Sequence, residues 1–84
     1  MKNKLLIKVY VPMLDVEYEI FIPANETVKK VIDLVFKSVQ DLSGNLLPND
    51  GAVILFDPDT SSVYQYNMIV RDTNIVNNKK LILL

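Results

Sequence analysis

Asp57, Asp59 and Thr60, in the run Asp57-Pro58-Asp59-Thr60, are the residues of this chain whose types and spacing come nearest to a chemical site. Clustered side-chain oxygens can hold calcium. A calcium loop, however, alternates its oxygen ligands regularly and ends on a distal Glu, and this run does neither, so it reads as a turn with Pro58 at the favoured second position. Glu17 and Glu19 share one strand face and could be taken for a catalytic pair of carboxylates, but a solvated outer face accounts for them. Gly44 and Gly51 stand apart and make no phosphate-binding loop. The chain has no Cys and no His, and its Ser residues fall in loop segments or on the wet side of a helix. A nucleophile–base arrangement is therefore out of reach, as are disulfides and ordinary structural zinc. These residues point to no enzyme, no catalytic residue, no cofactor and no metal site.

Composition narrows the remaining choices. Eighty-four residues are expected to make one domain, spanning residues 1–84, and half of them are hydrophobic. A chain this short buries only about 60–65% of its unfolded surface, so packing has to supply the stability. Nine basic against ten acidic residues leave a net charge of −1 with no dense basic run, which argues against nucleic acid as a partner. The opening MKNKLLIKVYV resembles a signal peptide superficially. Lys8 breaks its apolar run after three residues and no small-residue cleavage site follows, so it reads as a strand. Nothing approaches the roughly 18 continuous apolar residues of a membrane span. The expected location is the cytoplasm, without membrane insertion.

Thr27 to Leu42 carries the clearest periodicity. Val28, Val31, Ile32, Val35, Phe36, Val39 and Leu42 recur at spacings of three and four and form one apolar stripe, with Lys29, Lys30, Asp33, Lys37, Gln40 and Asp41 opposite. Thr27 suits the N-cap, and Gly44 with Pro48 ends the helix. Before it, two alternating runs read as an antiparallel hairpin. Leu5, Ile7, Val9 and Val11 share a face in the first, and Val16, Tyr18, Ile20 and Ile22 in the second. Residues 43–51 read as a loop with Leu46 and Leu47 tucked under the helix end. Ala52 to Phe56 reads as a strand, Val63 to Tyr66 as a short return strand, Asn67 to Asn78 as a folded-over loop with a helical turn, and Lys79 to Leu84 as a last strand. A hairpin, a helix and more strands make an α+β two-layer arrangement, with the helix across one sheet face.

This order and these lengths resemble the ubiquitin-like β-grasp fold, a mixed sheet of four to five strands packed on one helix. The resemblance is carried by Val70-Arg71-Asp72-Thr73-Asn74-Ile75, followed after five residues by Leu81-Ile82-Leu83, and by Pro23 to Val28 at the helix entry. Val28-Lys29-Lys30-Val31-Ile32-Asp33 is similar to the helix of the small bacterial YukD/EsaB proteins, which accompany type VII (WXG-type) secretion systems. Ubiquitin-like modifiers and sulfur carriers act through a Gly-Gly end; the sequence here ends Leu81-Ile82-Leu83-Leu84, so conjugation to targets is not expected.

The resemblance implies a register that turns Leu81 and Leu83 toward the helix and Ile82 and Leu84 outward. Leu6 and Tyr10 emerge on the same side from the first strand, Phe21 from the second and one of Ile54 or Leu55 from the third. Leu6, Tyr10, Phe21, Leu55, Ile82 and Leu84 are then the candidate partner-binding residues, forming one continuous apolar patch on the face ubiquitin uses for recognition. The expected function is a non-enzymatic docking module, an accessory or regulatory component of a type VII secretion apparatus. Its partners would be secretion-system proteins or a second copy bound through the same face. The alternative is a small non-catalytic subunit that modulates an enzyme complex.

Overall fold

The computed structural model describes residues 3–48 and 53–84. Loop residues 49–51 and Ala52, where the third strand was expected to begin, lie outside the described residues. Alternation of apolar and polar residues gives β1 (Lys4–Val11) and β2 (Val16–Pro23), which pair antiparallel along their whole length. The turn between them, Pro12 to Asp15, closes with Leu14 N–H donating to the Val11 carbonyl at 3.0 Å, and Asp15 takes the left-handed conformation with φ 53°. Asp tolerates that region better than most residues. This is how the hairpin forms without an Asn-Gly turn.

The helix α1 (Val28–Ser43) follows, and after it β3 (Leu55–Asp57), β4 (Ser62–Val63), a 3₁₀ turn at Val70–Asp72 and β5 (Lys80–Leu83). The strands form one five-stranded mixed sheet in the order β2-β1-β5-β3-β4. β5 sits in the middle, parallel to β1 and antiparallel to β3. The core lies between the sheet and α1: Ile7, Val9, Val11, Ile22, Leu55 and Leu81 from the sheet meet Val28, Val31, Val35 and Val39 from the helix, all with at most 1% exposure. Burial fades along β2 toward the turn, where Val16 is 40% exposed.

The four N–H groups that a helix start leaves unpaired are all satisfied. Val28 donates to the Met68 carbonyl and Lys29 to the Tyr66 carbonyl, Lys30 donates to the Thr27 hydroxyl at 3.3 Å, and Val31 donates to the Thr27 carbonyl. Tyr66, at the end of the expected return strand, and Met68, in the expected loop, thus supply the acceptors for the first two N–H groups of the helix. At the other end, Gly44 with φ 76° donates to the Gln40 carbonyl and ends the helix as expected.

Several expectations are corrected. Gln40, placed on the water face, is 6% exposed: its amide donates to the Leu47 carbonyl at 2.7 Å and accepts from Leu47 N–H at 2.9 Å. Those bonds draw Leu47 into the core, while Leu46, expected beside it, is 63% exposed. Leu42, placed on the apolar stripe, is exposed too. It lies about 160° around the helix from Gln40, so the returning chain covers the other side. Leu55, expected to face outward, is a core residue, because it stands opposite inward-facing Leu83. The strand containing it begins at 55 and runs on to Asp57, and the return strand is confined to Ser62 and Val63.

Candidate functional site

The sheet's outer face is built from the residues that alternate with the core positions of each strand. Across β2 and β1, Phe21 stands opposite Leu6, Glu19 opposite Lys8, and Glu17 opposite Tyr10. Across β1 and β5, Lys8 pairs with Lys80 and Tyr10 with Ile82; Ile82 in turn faces Phe56, and Phe56 faces Val63 on β4. Ile54 and Leu84 exchange two backbone hydrogen bonds of 3.0 Å next to this last rank.

Five of the six nominated residues therefore share one face: Leu6, Tyr10, Phe21, Ile82 and Leu84. The sixth, Leu55, is replaced by Phe56 and Ile54, and Val63 extends the apolar rank to the sheet edge. Phe21, Leu84 and Val63 are each more than half exposed, while Leu6, Tyr10, Ile82 and Phe56 are half-buried. The surface is not one patch as expected. A charged rank, Glu19-Lys8-Lys80, separates the Phe21-Leu6 pair from the rank containing Tyr10, Ile82, Phe56 and Val63. The Tyr10 hydroxyl donates to Asp15 Oδ1 at 2.6 Å, which raises the phenol's pKa and leaves its ring as the available surface.

Phe56 and Val63 could not be assigned from the sequence. Residues 53–56, Val-Ile-Leu-Phe, are apolar throughout and show no alternation. The next residue, Asp57, suggests the wrong register, because polar residues ordinarily face water. Here it is 1% exposed and points inward. Its Oδ1 accepts from Asp59 N–H at 2.9 Å and from the Lys79 ammonium at 2.9 Å; its Oδ2 accepts from Thr60 at 3.1 Å and from Asn74 at 2.7 Å. Lys79 also donates to Asp59 Oδ2 at 2.5 Å. Burial alone would push the Asp57 carboxyl up, but the bonds from Asn74, Lys79, Asp59 N–H and Thr60 hold it well below the usual carboxylate range. Its two neighbouring acids hold the Lys79 ammonium above the ordinary lysine value. Tyr64, whose hydroxyl donates to Asn74, is pushed up to about 12 by burial and by the nearby Asp57 charge.

The run Asp57-Pro58-Asp59-Thr60 is thus a turn in which both carboxylate oxygens of Asp57 are already occupied. Among the described residues no group of three or more His, Cys, Asp or Glu side chains could hold a metal ion. An apolar hollow of about 300 Å³ opens where β1 and β5 end beside α1, lined by Val11, Met13, Phe36, Leu47, Leu83 and Leu84. It carries no chemistry of its own. No described helix is long and apolar enough to cross a membrane.

No family profile and no curated protein sequence matches the chain. Solved structures do resemble it. The ubiquitin-like domain of the type VII secretion protein EccD1 of Mycobacterium tuberculosis superposes with a TM-score of 0.75 at 12% identity, over 96% of this chain and 97% of that one. The EccD5 ubiquitin-like domain from Mycobacterium xenopi gives 0.72 at 14% identity, over 96% and 92%. A chain of the toluene 4-monooxygenase HD complex with 4-bromobenzoate gives 0.78 at 8% identity, over 95% of each. At these identities the likeness is one of fold. The chain has the ubiquitin-like β-grasp fold, a five-stranded mixed sheet on one helix.

Proposed function

We propose that this chain is a non-enzymatic ubiquitin-like interaction module of the YukD/EsaB kind, an accessory or regulatory component of a bacterial type VII secretion system acting on the cytoplasmic side. It works by offering the outer face of its sheet to protein partners. The observation that carries this reading is the apolar rank Tyr10-Ile82-Phe56-Val63, flanked by Ile54 and Leu84, on a face turned away from the core. Apolar side chains gathered on one face usually mark a binding surface, and their burial against a partner supplies most of the affinity. The secretion context is supported by the fold shared with the EccD1 and EccD5 domains over nearly their whole length. The sequence of the first helical turns supports it as well.

A modulatory subunit of an enzyme complex is the second reading, favoured by the similarity to a chain of the toluene 4-monooxygenase complex. Affinity capture from the native organism separates the two. Wild type is compared with Phe21→Glu and Ile82→Glu, one substitution in each apolar rank, after circular dichroism has shown both folded. Retention of secretion-system proteins by wild type, with loss in the variants, is the expected result. Retention of oxygenase components instead selects the second reading, and equal capture by all three proteins overturns docking through this face.

A further inference from the structure

We infer that the partner of the sheet face is an amphipathic helix with an acidic residue midway between two apolar anchors, lying along β1 and β5. This deepens the proposed docking function and rests on it. Lys8 and Lys80 stand side by side in the register of β1 and β5, and neighbouring strands are about 4.8 Å apart. Like charges placed opposite one another in a sheet destabilise it. Among the described residues neither ammonium has an ion-pair partner within 4.0 Å, although Glu19 stands opposite Lys8 on β2. A carboxylate arriving over β1 and β5 would meet both cations at once.

Position follows from the ranks on either side. Leu6 and Tyr10 are four residues apart on β1, or about 13 Å, with Lys8 halfway. This is the open face of the sheet and not its edge, so the strands offer an incoming backbone no unpaired N–H or C=O groups. A helix satisfies its own backbone and needs none. At about 1.5 Å per residue, a helix places apolar side chains at i and i+8 about 12 Å apart, over Leu6 and over Tyr10 with Ile82, and sets residue i+4 above the two lysines. The acidic column Glu17 and Glu19 on β2 would repel such a residue, which keeps the helix over β1, β5 and β3.

The probe is a pair of alanine-based helical peptides with leucine at i and i+8, one carrying glutamate at i+4 and the other lysine. Binding is read by amide chemical shifts of the isotope-labelled protein and by fluorescence anisotropy at low salt. The glutamate peptide should bind about tenfold more tightly than the lysine peptide, a ratio that two exposed charge pairs can supply. Shifts should centre on Leu6, Lys8, Tyr10, Lys80 and Ile82. Lys80→Glu, which leaves Lys8 beside an acid, should abolish the difference between the two peptides and Lys80→Gln should reduce it, both without loss of folding. Equal binding of the two peptides to the wild type would overturn the inference, as would shifts confined to the hollow at Val11 and Phe36 or to the outer face of α1. A face closed by a second copy, shown by sedimentation and unresponsive to either peptide, would overturn it too. If the glutamate peptide fails while Phe21→Glu and Ile82→Glu still abolish capture of secretion proteins, only the helix is wrong. Indifferent capture removes the docking function itself.

Discussion

A carboxylate stripped of water stays ionised only if donors replace the water, and Asp57 has four of them on its two oxygens. Asp57→Ala should cost about 3 kcal/mol, because it leaves Lys79, with 10% of its side chain exposed, holding Asp59 alone. The pH dependence has a definite sign. The native state binds fewer protons at Asp57 than the unfolded chain does, so this stabilisation is complete above the ordinary carboxylate value of 3.8 and is lost as pH falls from there toward the depressed native value. Urea midpoints of wild type and Asp57→Asn, followed downward from about pH 5, should converge as the wild type loses this advantage. A constant gap would mean that the carboxylate is not held ionised. The same residue hid the register of β3: a polar side chain after four apolar ones invites the assignment of Asp57 outward, and with it Leu55, two residues before. Burial of Asp57 depends on Asn74 and Lys79, about twenty residues further along, which no local pattern links to it.

At the scale of the element, the helix was legible in its own residues, and so were its ends. Thr27 and Gly44 hold the cap positions their chemistry suits. The Gln40–Leu47 clamp was not legible, because a glutamine at the margin of an apolar stripe is ordinarily wet, and its bonds to Leu47 on the returning loop, which favour burial, leave no local pattern. Gln40→Ala should cost about 2 kcal/mol, since it strands the buried N–H and carbonyl of Leu47. Gly44→Ala tests a different quantity. A Cβ built at Gly44 meets nothing within 4 Å, so its cost is that of the left-handed backbone alone, about 1 kcal/mol. Denaturant unfolding of both variants should show the larger loss in Gln40→Ala. If Gly44→Ala proves the worse, the helix end is packed more tightly than its open surroundings indicate.

For the molecule as a whole, the central place of β5 governs how the sheet can fail. β5 joins the hairpin β1–β2 to the pair β3–β4. Its partner β1 lies at the opposite end of the chain, so the contact has a high closure entropy and makes folding slow for the size. Leu81, fully buried in the middle of that strand, packs on the core common to both halves. Its truncation to alanine should cost about 3–4 kcal/mol, against a total of about 4–13 kcal/mol for a chain of this length. Val63 has comparable apolar character but lies on the two-residue edge strand and is 53% exposed. Val63→Ala should therefore change stability by no more than about 0.5 kcal/mol. Because β5 is shared, Leu81→Ala should lower the stability of both halves together, and circular dichroism and tyrosine fluorescence should follow one transition at a lower urea midpoint. Two separated transitions would show that the hairpin with its helix stands without the central strand.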